Sequence, residues 1–126
     1  MTYTSISQTG NDHSFWRKGL EFYADEIEIM TSRLGEIASK NSNFEARQGI
    51  EHFQNQFIVQ RNNRDELRHE INLYVEKLGT DVRQHGGHVN TDLVSEHGIL
   101  QDKYETFEKV MNGLRHEFND FLGKWM

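Results

Sequence analysis

Chemistry in this chain has to come from histidine, carboxylate and amide side chains, because cysteine is absent. Without a thiol there is no sulfur ligand for a metal, no cysteine nucleophile and no disulfide framework. Among the seven histidines, His69 closes the step Glu66-Leu67-Arg68-His69. Spacing i, i+3 places a carboxylate and an imidazole on one helix face. Dinuclear centres in four-helix bundles use that step twice, with a further glutamate from each of two other helices. Here it occurs once on a helix-patterned stretch, for Gly49 and Gly113 stand three residues before His52 and His116. Arg68 adds positive charge beside it. His85 and His88 flank Gly86-Gly87, and two imidazoles around a glycine turn can coordinate a transition metal. The glycine pair is equally explained by the turn itself. No histidine is followed four residues later by His or Glu.

Three other polar residues occupy apolar positions. His97 lies among aliphatic and aromatic residues next to Gly98, where it is either a hydrogen-bonded core histidine or a pH-sensitive contact at a two-fold interface. Gln60 and Arg64 interrupt an apolar seam and form a polar core layer of the kind that fixes helix register at some cost in stability. No Gly-x-Ser-x-Gly elbow occurs, and no phosphate-binding glycine loop follows a strand. The sequence therefore reads as a non-enzymatic protein acting through self-association and protein–protein contact, with no cofactor expected. The alternative is a metal-binding bundle, ferritin-like or similar, using Glu66, His69 and other histidines.

The elements that position these residues are helices. Trp16, Leu20, Tyr23, Ile27, Met30, Leu34 and Ile37 are spaced alternately four and three, an unbroken heptad seam. Phe15, Phe22 and Ala38 widen it. A second seam runs through Ala46, Ile50, Phe53, Phe57, Gln60, Arg64, Leu67, Ile71, Tyr74 and Leu78, with Ile58, Val75 and Val82 beside it. A third runs through Leu93, His97, Leu100, Tyr104, Phe107, Met111, Leu114, Phe118, Phe121 and Trp125, broadened by Val94, Ile99, Val110 and Leu122. Proline is absent, so no helix is broken by it. The pattern predicts an all-α, antiparallel up-down-up three-helix bundle, with helices over about 14–40, 43–85 and 92–124, following a flexible arm at 1–13. Ser42 and Glu45 fit a capping box for the second helix. That helix ends at Gly79, where an interior glycine costs about 1 kcal/mol against alanine, or at Gly86. Asn90 or Thr91 caps the third.

Helices of such unequal length leave an overhang. If the chain folds back at 41–42, the hairpin 67–110 extends roughly 25–30 Å past the end of the first helix, at 1.5 Å per residue. Leu67, Ile71, Tyr74, Leu78, Leu100 and Tyr104 would then lack cover. The expectation is a homodimer in which two such hairpins form a four-helix section, with His97 on the shared face and an unidentified protein as the other partner.

The net charge is −6 over 126 residues, mixed in sign along the whole chain. A basic patch is missing, which argues against a nucleic-acid or anionic-membrane partner. No apolar run approaches the roughly 20 residues of a membrane span. The residues up to Asn11 have neither a basic run nor an apolar core, so no export signal is read there, and the cytoplasm is the expected location.

Overall fold

The computed structural model describes residues 6–84 and 91–126, with side chains described over 12–81 and 92–126. Three α-helices run up, down and up: α1 Ile6–Lys40, α2 Phe44–Gln84 and α3 Thr91–Trp125. The seams meet as expected: Trp16, Leu20, Ile27, Ile37, Phe57, Ile71, Tyr74, Tyr104, Met111 and Phe118 are fully enclosed in one continuous core. α2 packs against both neighbours. α1 and α3 lie parallel and are tied by polar links, Trp16 to Gln101, Tyr23 to Glu108 and Glu26 to Arg115. No helix among the described residues is long and apolar enough to cross a membrane.

Several sequence expectations change. α1 begins at Ile6 rather than at 14, so residues 6–13 of the expected arm are helical, and 1–5 lie outside the described residues. The eight added residues extend α1 by about 12 Å. Ser, Thr, Gly, Asn and Asp in this stretch are poor helix formers, and the described tertiary contacts come from its last two residues. His13 packs on Tyr74, and Asp12 bonds His97. The extension covers roughly half of the expected overhang, including its apolar part. Leu67, Ile71, Tyr74, Leu78, Leu100 and Tyr104, expected to be free for a second copy, are buried within one chain. α2 runs through Gly79 to Gln84, while the alternative stop at Gly86 lies outside the described residues, as do His85, His88 and Asn90.

The α1–α2 corner is capped differently from the expected box. Asn43, not Ser42, accepts from the amide of Ala46 through its Oδ1 at 2.9 Å. Glu45 instead pairs with Lys124 of α3. Asn41 Nδ2 donates to the carbonyls of Ile37 and Trp125 at 3.0 and 3.1 Å, joining the last turns of α1 and α3. Two helix crossings require glycine. A Cβ on Gly19 would fall 1.8 Å from the Tyr104 hydroxyl, and one on Gly49 would fall 2.2 Å from the Phe121 ring.

Candidate functional site

Polar chemistry is concentrated where the first turns of α1 and α3 meet the far end of α2. Carried back from Trp16, the 3/4 spacing brings His13 onto the inner face of α1, and the same spacing places His97 on the inner face of α3. The two rings lie 5.8 Å apart. Trp16 packs against both, at 5.4 Å from His13 and 4.9 Å from His97. Tyr74 of α2 meets His13 edge-on at 5.0 Å and donates its hydroxyl proton to the Leu93 carbonyl at 3.1 Å. Trp16 Nε1 donates to Gln101 Oε1 at 2.7 Å, and Gln101 donates on to Glu105.

The pair is electrostatically asymmetric. His97 Nε2 sits 2.9 Å from Asp12 Oδ2, which fixes that ring's orientation. His13 is 5% exposed. Its pKa is pushed down to about 4, chiefly by burial, then by His97 and Arg17, with Asp12 opposing. Buried imidazole loses hydration more severely when charged, so His13 is neutral at neutral pH. His13 Nε2 and His97 Nδ1 are buried without a hydrogen-bond partner among the described residues. Burial, with a smaller push from Glu96, raises the Tyr74 hydroxyl to about 12.

Midway along the bundle, Glu108 accepts from the hydroxyls of Tyr23 and Tyr104 at 3.1 and 3.4 Å. Burial and this carboxylate raise Tyr23 to about 12, and Tyr104 shifts upward for the same reasons. Arg115 grips Glu26 through two bonds of 2.6 and 2.8 Å, a fork geometry that holds the guanidinium firmly charged. Gln60 and Arg64 do not act as one layer. Arg64 turns to α1, where Nε donates to the Leu20 carbonyl at 3.2 Å, and pairs with Asp65. Gln60 is buried on the α3 side and accepts from Asn63.

Among the described residues, the expected metal candidates do not form a ligand cluster, and His85 and His88 lie outside them. Glu66 and His69 are both exposed on α2. No group of three or more His, Cys, Asp or Glu among the described residues is placed to hold a metal ion.

Ten large apolar side chains are exposed among the described residues, and two groupings of them stand out. A groove of about 510 Å³ runs between α2 and α3, floored by Leu67 and Phe107 and rimmed by Ile99, Val110, Glu66, Glu70, Asp102 and Lys103. On α1, Phe15, Phe22 and Ile29 are 61, 57 and 63% exposed. The sequence reading assigned Phe15 and Phe22 to the core stripe. They instead stand one position outside Gly19 and Glu26, which take the inner flank facing α3. Their seven-residue recurrence was the available signal. No family model, no curated protein and no solved structure matches the chain.

Proposed function

We propose that the protein works by contact rather than catalysis, presenting the outer face of α1 to another protein surface. The observation that carries this reading is the row Phe15, Phe22 and Ile29. Residues seven apart fall within about 20° of one another around an α-helix, so the three side chains share one face over about 21 Å. Scattered apolar residues are ordinary on a protein surface. An aligned row of two phenylalanines and an isoleucine, each more than half exposed, marks an interaction face.

The interior supports the non-enzymatic half of the reading. A general acid or base works best with a pKa near the operating pH. The shifted groups here move the other way: His13 falls to about 4, and Tyr23 and Tyr74 rise to about 12. Charges that approach the seams link helices, Arg61 to Glu28, Lys103 to Glu70 and Arg115 to Glu26.

A photo-crosslinking residue at position 22, with position 55 on the exposed side of α2 as control, tests the proposal in cells making the protein at natural levels. A covalent protein adduct from 22 but not from 55 is expected. Equal yields from both, or none from 22, would overturn the assignment of this face.

A further inference from the structure

Resting on that reading of the α1 face, we infer that the surface it meets is a second copy of this chain, docked antiparallel about a two-fold axis passing beside Phe22. The argument starts from what flanks the row. On the side away from α3 stand Lys18 and Asp25, both exposed and neither in an ion pair among the described residues. On the side toward α3, Glu26 is already held by Arg115. One flank thus carries an unpaired cation and an unpaired anion, seven residues apart.

A two-fold axis lying in the contact plane, perpendicular to both helices, brings each flank against the same flank of the copy. Centred on Phe22, it sets Phe15 opposite Ile29 of the copy and Phe22 opposite Phe22. Lys18 then meets Asp25 of the copy within one residue's rise of level, about 1.5 Å. Asp25 meets Lys18 of the copy in the same way, so both unpaired charges are matched. A parallel arrangement, with the axis along the helices, would set each flank against the opposite one, leaving Lys18 beside Gly19 of the copy and Asp25 beside Glu26, and like charges across an interface oppose association. The charge pattern therefore selects the antiparallel register.

The groove between α2 and α3 does not compete for this role. Glu66, Glu70 and Asp102 line it against the single cation Lys103, which Glu70 already holds. Two such grooves would bring acid onto acid. The α1 face is mixed in sign, and an isologous contact needs a self-complementary patch.

The area sets the expected strength. A buried aromatic side chain removes on the order of 150–250 Å² from water. At the exposures of the three residues, two copies would cover roughly 700 Å² of apolar surface, and flanking contacts bring the total to about 1,000 Å², the low end for a specific interface. That size fits a dimer with micromolar affinity.

Sedimentation equilibrium of the purified full chain, from about 1 to 200 µM, tests this. Wild type is expected to dimerise in that range. Phe22→Asp should remain monomeric with an unchanged helical spectrum, and should melt where wild type melts at concentrations too low for the dimer, since residue 22 lies outside the core. Lys18→Glu and Asp25→Lys should each weaken the dimer about tenfold, by losing two rim pairs and creating repulsion. The double variant, with both charges exchanged, should recover to within about twofold of wild type, because the swapped pairs re-form. Wild type that stays monomeric at 200 µM, or a double variant no better than either single one, would overturn the inference. A monomeric chain that still yields an adduct from position 22 would remove the second copy and leave the contact face standing. Absence of that adduct would remove both.

Discussion

The two ends of the bundle are built on different principles. At the α1–α2 corner, Phe53, Phe57, Phe118 and Phe121 meet ring against ring at 5.0–6.3 Å, and Gly49 lets α2 close on Phe121. At the other end the corresponding layer is His13, Trp16, Tyr74 and His97, fixed by single hydrogen bonds to Asp12, Gln101 and Leu93. The phenylalanine end is held by buried area, which is indifferent to pH. The histidine end is held by groups whose solvation depends on protonation. One heptad pattern runs through both, so the periodicity that specifies the fold does not specify what each end responds to.

The sharpest separation comes from removing a ring. Phe118→Ala should cost about 3–5 kcal/mol, because Phe118 is enclosed by Phe53, Phe57 and Phe121 and the site cannot collapse. Urea denaturation should give the same loss at pH 7 and pH 5. A loss that grew as pH fell would mean that the two ends do not behave as separate units.

Acid should act on the other end. The folded-state pKa of His13 lies below its unfolded value, about 4 against 6.5. The unfolded chain therefore binds more protons between those values. The stability tied to neutral His13 is complete above pH 6.5 and is lost as pH falls towards 4. Each pKa unit corresponds to about 1.4 kcal/mol, so the loss amounts to roughly 3 kcal/mol by pH 4. The facing charged and titratable groups are Asp12 and Arg17 on α1, Tyr74 on α2 and His97 on α3. His13→Leu should flatten the slope of stability against pH over this window. Amide exchange at pH 5 should rise first in the early turns of α1 and α3, and last around Phe57 and Phe118. Uniform exchange along α1 would break the comparison.

This contrast was only half legible in the sequence. The seams gave the helices and nearly all of the core, because bulky apolar residues at 3/4 spacing have one economical arrangement. The start of α1 was obscured because only Ile6 is bulky between Ile6 and Asp12. Yet stepping back from Trp16 by three, four and three reaches His13, Thr9 and Ile6, so the register was present without the hydrophobicity that usually reveals it. His97 stood out because it breaks an apolar seam. Asp12 did not, because a partner 85 residues away leaves no local mark. The exposure of Phe15 and Phe22 was hidden for a related reason. Apolar character beside a seam reads as a wider stripe, and only the helix crossing at Gly19 decides which flank is covered.

Glycine offers the same substitution at both ends with opposite signs. At the phenylalanine end, Gly49→Ala sets a methyl group against the Phe121 ring edge, forcing that ring from a packed site. Overpacking of this kind costs about 1–3 kcal/mol. The penalty should shrink in a Phe121→Leu background, where the clashing edge is gone. An undiminished penalty would place the strain in the α2 backbone rather than in the ring.

The smallest effect is also the one that reverses sign. Gly79 lies inside α2 towards the histidine end, and a Cβ there would meet nothing within 4 Å. Alanine lowers the backbone entropy lost on helix formation, so Gly79→Ala should stabilise by up to about 1 kcal/mol. The gain also reports how firmly the end of α2 is formed. If the turns beyond residue 79 open in the native state well before the whole chain unfolds, alanine will slow amide exchange at 80–84 while leaving the global urea midpoint nearly unchanged. If those turns open only with the whole chain, the midpoint rises by the full amount. The histidine layer predicts the second outcome at pH 7 and the first near pH 4.5, where protonation of His13 loosens the contact of α1 with Tyr74. A gain that showed the same split at both values would separate the end of α2 from the histidines, and would leave the pH dependence to α1 and α3 alone.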